Sequence, residues 1–171
     1  MTTAVESATV DSAQPSTDEL QLADDIERLA VSLHQTFGIE FAVYDGESGD
    51  VLRTADEQPM GDVKFRGELA KAVANRCEPA FLGEEDPLLV FALPMSVHGG
   101  TVVVAVGTFA TRELCESDDC DRVSELLGMP ESRASTWISQ QEFWTGRQLN
   151  AVGQTVLDKH LAQLKSEKLT K

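Results

Sequence analysis

Leu22, Ile26, Leu29, Ala30, Leu33 and Phe37 recur at steps of three and four residues, the spacing that lines one face of an amphipathic helix. Ser16 stands three residues before Glu19, as in a capping box. Gly38 follows in the position that closes a helix. Asp18, Glu19, Asp24 and Asp25 load the first turns with the negative charge that the helix dipole favours. A β-rich run over residues 39–44, a Gly- and Asp-dense turn over 45–50 and a return over 51–54 then predict a hairpin. Past a polar loop with Pro59 and Gly61, the positions Phe65, Leu69, Ala72 and Val73 predict a second helix ending near Arg76. Residues 80–82 read as a short strand, broken by the polar run 83–87.

The strongest β pattern follows. Residues 88–94 and 101–107 are apolar at alternate and intervening positions alike and flank a turn holding His98, Gly99 and Gly100. Such strands are covered on both faces, so these two belong in the middle of a sheet. From Arg112 onward the pattern is helical. Ser117 or Asp118 caps a helix carrying Val123, Leu126 and Leu127 and closed by Gly128. Pro130 suits the first turn of a helix carrying Ala134, Trp137 and Ile138. Thr145, three before Gln148, opens a last helix through Leu149, Val152, Val156, Leu161 and Leu164 toward Lys171. Leu157, Leu161 and Leu164 also fit a short coiled-coil seam. This order predicts an α+β fold: a central antiparallel β-sheet of about five strands flanked by helices, with a C-terminal helical extension. Residues 1–15, almost without bulky apolar side chains, read as a disordered lead-in, and 16–171 as a single domain.

Charge narrows the partners. The 171 residues carry 14 basic and 29 acidic side chains, a net charge of −15, and such a chain is repelled by phosphate backbones and anionic lipid surfaces. Neither nucleic acid nor a membrane is expected as a partner. The first residues lack the basic and apolar regions of a secretory signal. The three cysteines, Cys77, Cys115 and Cys120, do not make a paired disulfide framework. A cytoplasmic location is the expectation.

Catalytic chemistry finds little purchase. The sequence contains no nucleophile elbow, phosphate-binding loop, dinucleotide fingerprint or metalloprotease pair. Cys115 and Cys120 with His98 or His160 lack the usual zinc spacing, and a solvated acidic helix start explains their carboxylate neighbours; no metal is expected. Cys77, beside Arg76, is the best placed of the thiols for reactivity, while carboxylates surround the other two. His34, His98 and His160 lie apart in sequence and read as surface or cap residues. Trp137, Phe143 and Trp144 either pack the helical block 112–144 onto the sheet or line a pocket. Arg53 and Arg66 offer anchors for an anionic ligand.

The helix end and strand through Thr36, Phe37, Gly38 and Ile39 to residues 41–45 resemble the opening of GAF-like sensor domains of bacterial signal-transduction proteins (the GAF/PAS superfamily). The strand–turn–strand over residues 91–104, with Pro94 and the pair Gly99 and Gly100, resembles a later part of the same domains. The resemblance spans roughly residues 18–110 plus the terminal helix and treats 112–144 as an insertion. It implies a regulatory input domain, not an enzyme, with a small-molecule pocket over one sheet face near Phe65, Arg66, Leu69, Phe81 and Phe91, to which Trp137 is added from the helical block. It also implies a homodimer through the terminal helices, and residues 145–171 as a signalling helix leading to a C-terminal output domain. It names no cofactor; Cys77 is a weak candidate for bilin attachment. Two alternatives stay open: a ligand-free dimerisation or docking module, and a cysteine-dependent reductase using Cys77.

Overall fold

The computed structural model describes residues 14–56 and 58–169; apart from residues 14 and 15, the expected lead-in lies outside them. Helix α1, Thr17–Phe37, begins with the capping box that the sequence predicts: Glu19 N–H donates to Ser16 Oγ, and Ser16 N–H donates to the Glu19 carboxylate. It ends at Gly38 in the left-handed region. Strands β1, Ala42–Asp45, and β2, Val51–Arg53, form the hairpin, followed by α2, Val63–Val73. Strands β3, Ala80–Glu85, β4, Leu88–Ser96, and β5, Val102–Ala110, complete an antiparallel sheet of order β2-β1-β5-β4-β3. Helices α3, Glu116–Leu127, α4, Glu131–Gln140, and α5, Gly146–Leu169, follow. The α+β architecture and its five-stranded sheet match the reading of the sequence, and the two apolar runs lie side by side within the sheet.

Three expectations about the elements change. β3 does not stop at Leu82 but continues through Gly83 to Glu85, with a bulge that leaves Leu82 as an extra residue opposite β4. A bulge leaves its extra residue unpaired and disrupts the ladder only locally, so pairing resumes at Gly83 opposite Val90. α3 takes Cys115, not Ser117 or Asp118, as its N-cap, and Pro130 caps α4 from just outside the helix. The buried side of α2 consists of Arg66, Gly67, Ala70 and Val73, while Phe65 and Ala72 are exposed and Leu69 is half-buried. Periodicity alone selected Phe65 and Leu69, but this helix lies across β1, β5, β4 and β3, and small residues let it lie close.

Strand parity sorts the core into layers. Leu89, Phe91, Leu93 and Met95 of β4 and Val103, Ala105 and Phe109 of β5 face α1 and α5, and pack with Leu29, Leu33, Phe37, Leu149 and Leu157. Ala92, Val104 and Val106 point the other way, onto Ala70, Val73 and Ala74 at α2. Beyond them Leu88 packs with Val123, Leu127, Ala134, Trp137 and Ile138 of the α3–α4 pair. The chain passes from that pair to the opposite face over residues 141–144, where Trp144 N–H donates to Ala110 O at 2.8 Å. The Trp144 ring then joins Phe37 and Phe109, with centroids at 5.5 and 6.1 Å. The aromatic residues of the helical block therefore separate: Trp144 and Trp137 pack on opposite faces, and Phe143 is exposed.

Two glycines fix where helices dock. A Cβ at Gly67 would stand 2.2 Å from Gly49 O, and one at Gly153 would stand 2.6 Å from Phe91 Cζ. α2 thus meets the β1–β2 turn backbone to backbone, and α5 lies directly on β4.

Arg112 ties the far end together. Its guanidinium reaches Asp86 at 3.1 Å and Asp119 at 2.8 and 3.1 Å, while Asp119 also accepts from Cys115 N–H at 2.8 Å. The Arg112 guanidinium, joined by the Cys115 N–H, holds the Asp119 carboxyl below its usual range, and the same contacts raise the pKa of Arg112.

Candidate functional site

The register of β4 and β5 places a gap in the helical cover. α2 packs over the rows holding Ala92, Val104 and Val106, and α3 with α4 packs over Leu88. The row between them is Val90 paired with Thr108. That row is the floor of a groove of about 280 Å³, walled by Phe65, Arg66 and Leu69 of α2, Leu126 and Leu127 of α3, and residues 82–85 of β3.

Arg66 is the unusual member. Its residue is only 8% exposed, although a buried cation is ordinarily paired with an anion. Nη1 donates to Pro59 O at 3.2 Å, and the guanidinium packs against Gly61. No carboxylate among the described residues pairs with it. Burial lowers its pKa, and interaction with the Tyr44 phenol offsets part of that shift. Burial in turn raises the pKa of Tyr44, with Arg66 opposing and Asp62 adding to the shift. On the groove floor Thr108 is 1% exposed and its hydroxyl has no hydrogen-bond partner among the described residues; the same holds for Tyr44 Oη, Gln58 Oε1 and Trp137 Nε1. A buried unpaired hydroxyl costs about 1–3 kcal/mol, so an apolar groove holding a buried cation with no carboxylate partner, and a hydroxyl with no partner, among the described residues is suited to an acceptor-bearing ligand.

A second, larger trough of about 680 Å³ runs between α1 and α5 on the opposite face. Its walls carry Asp25, Arg28, Lys159 and both His98 and His160. His98 N–H donates to Asp25 at 3.1 Å, and its ring approaches Asp18 at 3.7 Å. His160 Nε2 lies 2.5 Å from Ser96 O, so that nitrogen carries the proton. The trough is wide and polar, and its Asp25 and Arg28 are already paired with each other, at 2.5 Å. The smaller groove is the better candidate site, because among the described residues its buried Arg66 has no carboxylate partner and Thr108 Oγ1 has no hydrogen-bond partner.

Of the pocket residues expected from sequence, Phe65, Arg66 and Leu69 come together at this groove. Phe81 and Phe91 instead stack on each other at 5.8 Å on the α1–α5 face, with Phe91 fully buried. Phe81 and Phe91 are a register pair and share a face, whereas Leu82 and Val90, each one residue away, face the groove. Trp137 packs in the α3–α4 cluster behind the groove wall. Arg53 is engaged elsewhere, with Glu27 of α1 at 2.8 Å. Thr108, Val90, Leu126 and Leu127 join the groove although the sequence predicts none of them at a pocket, placing Val90 only in a strand and Leu126 and Leu127 only on a helix face. A hydroxyl residue within the otherwise apolar stretch 102–110 was the available signal.

The remaining candidates stay apart. Cys77 is exposed with φ 56°, and Cys115 is exposed at the start of α3. The Cys120 thiol is pushed up by burial and then by Glu131, Asp121 and Glu116. Among the described residues no group of three or more His, Cys, Asp or Glu side chains is placed to hold a metal ion, and no helix is long and apolar enough to cross a membrane. His98 and His160, distant in sequence, both line the trough without a hydrogen bond between them, while His34 is exposed on α1. Comparison with protein-family models, curated proteins and solved structures finds no match to this chain.

Proposed function

We propose that this chain is a GAF-like regulatory domain that binds a small carboxylate-bearing molecule in the groove between α2 and α3 and transmits its binding through α5. The observation that carries the reading is the buried guanidinium of Arg66, unpaired with any carboxylate among the described residues, beside the free hydroxyl of Thr108. A carboxylate accepting from both groups replaces the water-facing interactions that burial removed.

The route to α5 is short. Phe109 follows Thr108 on β5 and packs on Trp144, which lies two residues before Gly146, the first residue of α5. A ligand that binds one arrangement of this strand end more tightly shifts the population of that arrangement. Past His160, every described residue of α5 except Leu164 is exposed, which leaves the helix surface available to an output module of a bacterial signalling protein. The test is a screen of small carboxylates by amide chemical-shift mapping on wild type and Arg66→Met. Saturable shifts at Val90, Thr108 and Leu126 that vanish in the variant support the reading. Equal binding by both proteins, or no shift at the groove, refutes it.

A dimerisation module is the second reading, favoured by charge. The first turn of α1 carries Asp18 and Glu19, whereas the end of α5 carries Lys165 and Lys168, and exposed Leu20, Val31 and Leu161 lie on the same two helices. A two-fold pairing that sets one copy's α1 against the other's α5 joins opposite charges. Sedimentation equilibrium at low and high salt tests it: a dimer that weakens with salt supports the pairing, and a monomer at both rejects it.

A further inference from the structure

We infer that the ligand of the α2–α3 groove is a monocarboxylate with a short apolar tail, its single charge held inside at Arg66 and its tail lying along the aliphatic wall toward α3. The inference rests on the groove being the ligand site proposed above, and it names the chemical class of the occupant.

The depth of each lining residue sets the polarity of the ligand. Arg66 and Thr108 are 8% and 1% exposed, so the groups that take the carboxylate lie inside. Leu69, Leu82, Val90 and Leu126 line the same groove but stay half-buried. Apolar surface left open beside a buried cation matches a molecule with one charged end and one hydrocarbon end. The volume, about 280 Å³, lies just under the range of roughly 300–1,000 Å³ typical of pockets for drug-sized ligands, so the tail is short.

The acids of the lining select against the other small anions. Glu84 is the register partner of Leu89 and shares its α1–α5 side of the sheet. Asp62 caps α2 through Phe65 N–H at 3.0 Å, and Glu85 lies 3.5 Å from Arg122. Among the described residues of the groove no carboxylate is left to receive an ammonium. An amino acid would therefore set a second cation close to Arg66 without compensation. A dicarboxylate would place its far charge against the half-buried leucines and near Asp62 and Glu85 at the rim, where like charge opposes it. It would also feel more strongly the long-range repulsion of a chain whose net charge is −15. An uncharged ligand leaves the buried guanidinium without an anion. A single carboxylate on a hydrocarbon body meets each of these conditions.

The experiment uses the whole chain and four probes: 4-methylpentanoate; acetate, which lacks the tail; glutarate, which ends in a second carboxylate; and L-leucine, which adds an ammonium. Affinities are measured by calorimetry and by amide shifts at Val90, Thr108 and Leu126, on wild type, Arg66→Met and Thr108→Val. Each buried carbon of the tail contributes about fourfold in affinity, so a partly covered tail is expected to favour 4-methylpentanoate over acetate by about 10- to 100-fold. Glutarate and leucine are each expected to bind at least about 10-fold more weakly than 4-methylpentanoate, the scale of an uncompensated charge. Both substitutions are expected to weaken 4-methylpentanoate; Thr108→Val preserves the shape of the floor and serves where Arg66→Met does not fold. If acetate, glutarate or leucine binds wild type as tightly as 4-methylpentanoate and loses that binding in Arg66→Met, the apolar monocarboxylate is wrong while the Arg66 groove stands. If neither substitution weakens 4-methylpentanoate, both readings fall. If none of the probes moves the groove resonances, the inference is overturned, and the Arg66-dependent carboxylate screen alone decides the parent reading.

Discussion

Replacing Gly67 with alanine sets two physical effects against each other. Alanine is favoured over glycine in a helix interior by about 1 kcal/mol, so propensity alone makes Gly67→Ala stabilising. Packing says the reverse. The added Cβ would lie 2.2 Å from Gly49 O and 3.2 Å from Gly49 C. A comfortable carbon–oxygen contact is about 3.3 Å, so the two backbones must separate by about 1 Å. Neither can yield by changing a rotamer, because Gly49 is itself pinned: its φ is 78° and its N–H donates to Asp45 O at 2.9 Å. Overpacking costs about 1–3 kcal/mol and occasionally more, and backbone-to-backbone contact places this case at the upper end. The expected net loss is about 1–2 kcal/mol. At about 2–4 °C per kcal/mol for a chain of this size, Tm falls by about 2–8 °C. Thermal and urea denaturation read it, with Gly83→Ala as the control, since a Cβ there meets nothing within 4 Å and the control is expected to be neutral or slightly stabilising. An unchanged or raised Tm for Gly67→Ala, with the control behaving as expected, would show that the close approach of α2 to the hairpin does not constrain the fold.

Gly153→Ala is expected to lose less, about 1 kcal/mol, because its nearest neighbour is the end of the Phe91 ring at 2.6 Å, which can shift; urea midpoints for both variants test the ranking. Thr108→Val removes a buried hydroxyl with no partner among the described residues and is expected to raise stability by about 1 kcal/mol while weakening carboxylate binding, so calorimetry and denaturation should move in opposite directions. Asp119→Asn is expected to cost about 1–3 kcal/mol at neutral pH. The folded Asp119 pKa lies below its unfolded value, so its contribution is full above the unfolded pKa of about 3.9 and is lost as pH falls through the folded pKa. Urea midpoints of wild type and variant should therefore converge under strong acid; a constant gap would remove the ionised carboxylate from the explanation.

The sequence by itself determined the elements whose formation is local. Ser16 with Glu19, Gly38, and Thr145 with Gln148 specify helix ends through contacts within a few residues, and each cap forms as the spacing requires. The continuous apolar runs of β4 and β5 specified interior strands because only a position covered on both faces accepts them. Tertiary structure alone decided which way the second layer points. Phe65 is exposed and Arg66 buried on the same helix, since α2 must cross the sheet close enough for Gly67 to touch Gly49, and that approach selects small residues for the contact. It also decided the groove. Thr108 and Val90 become its floor through the pairing of β4 with β5, and Leu126 and Leu127 become its wall through the docking of α3. Phe81 and Phe91 fall on the other face through the parity of strands whose register depends on partners distant in the chain. Contacts three or four residues apart are written in the sequence, whereas a site assembled from α2, β3, β4, β5 and α3 exists only once the sheet has set their order.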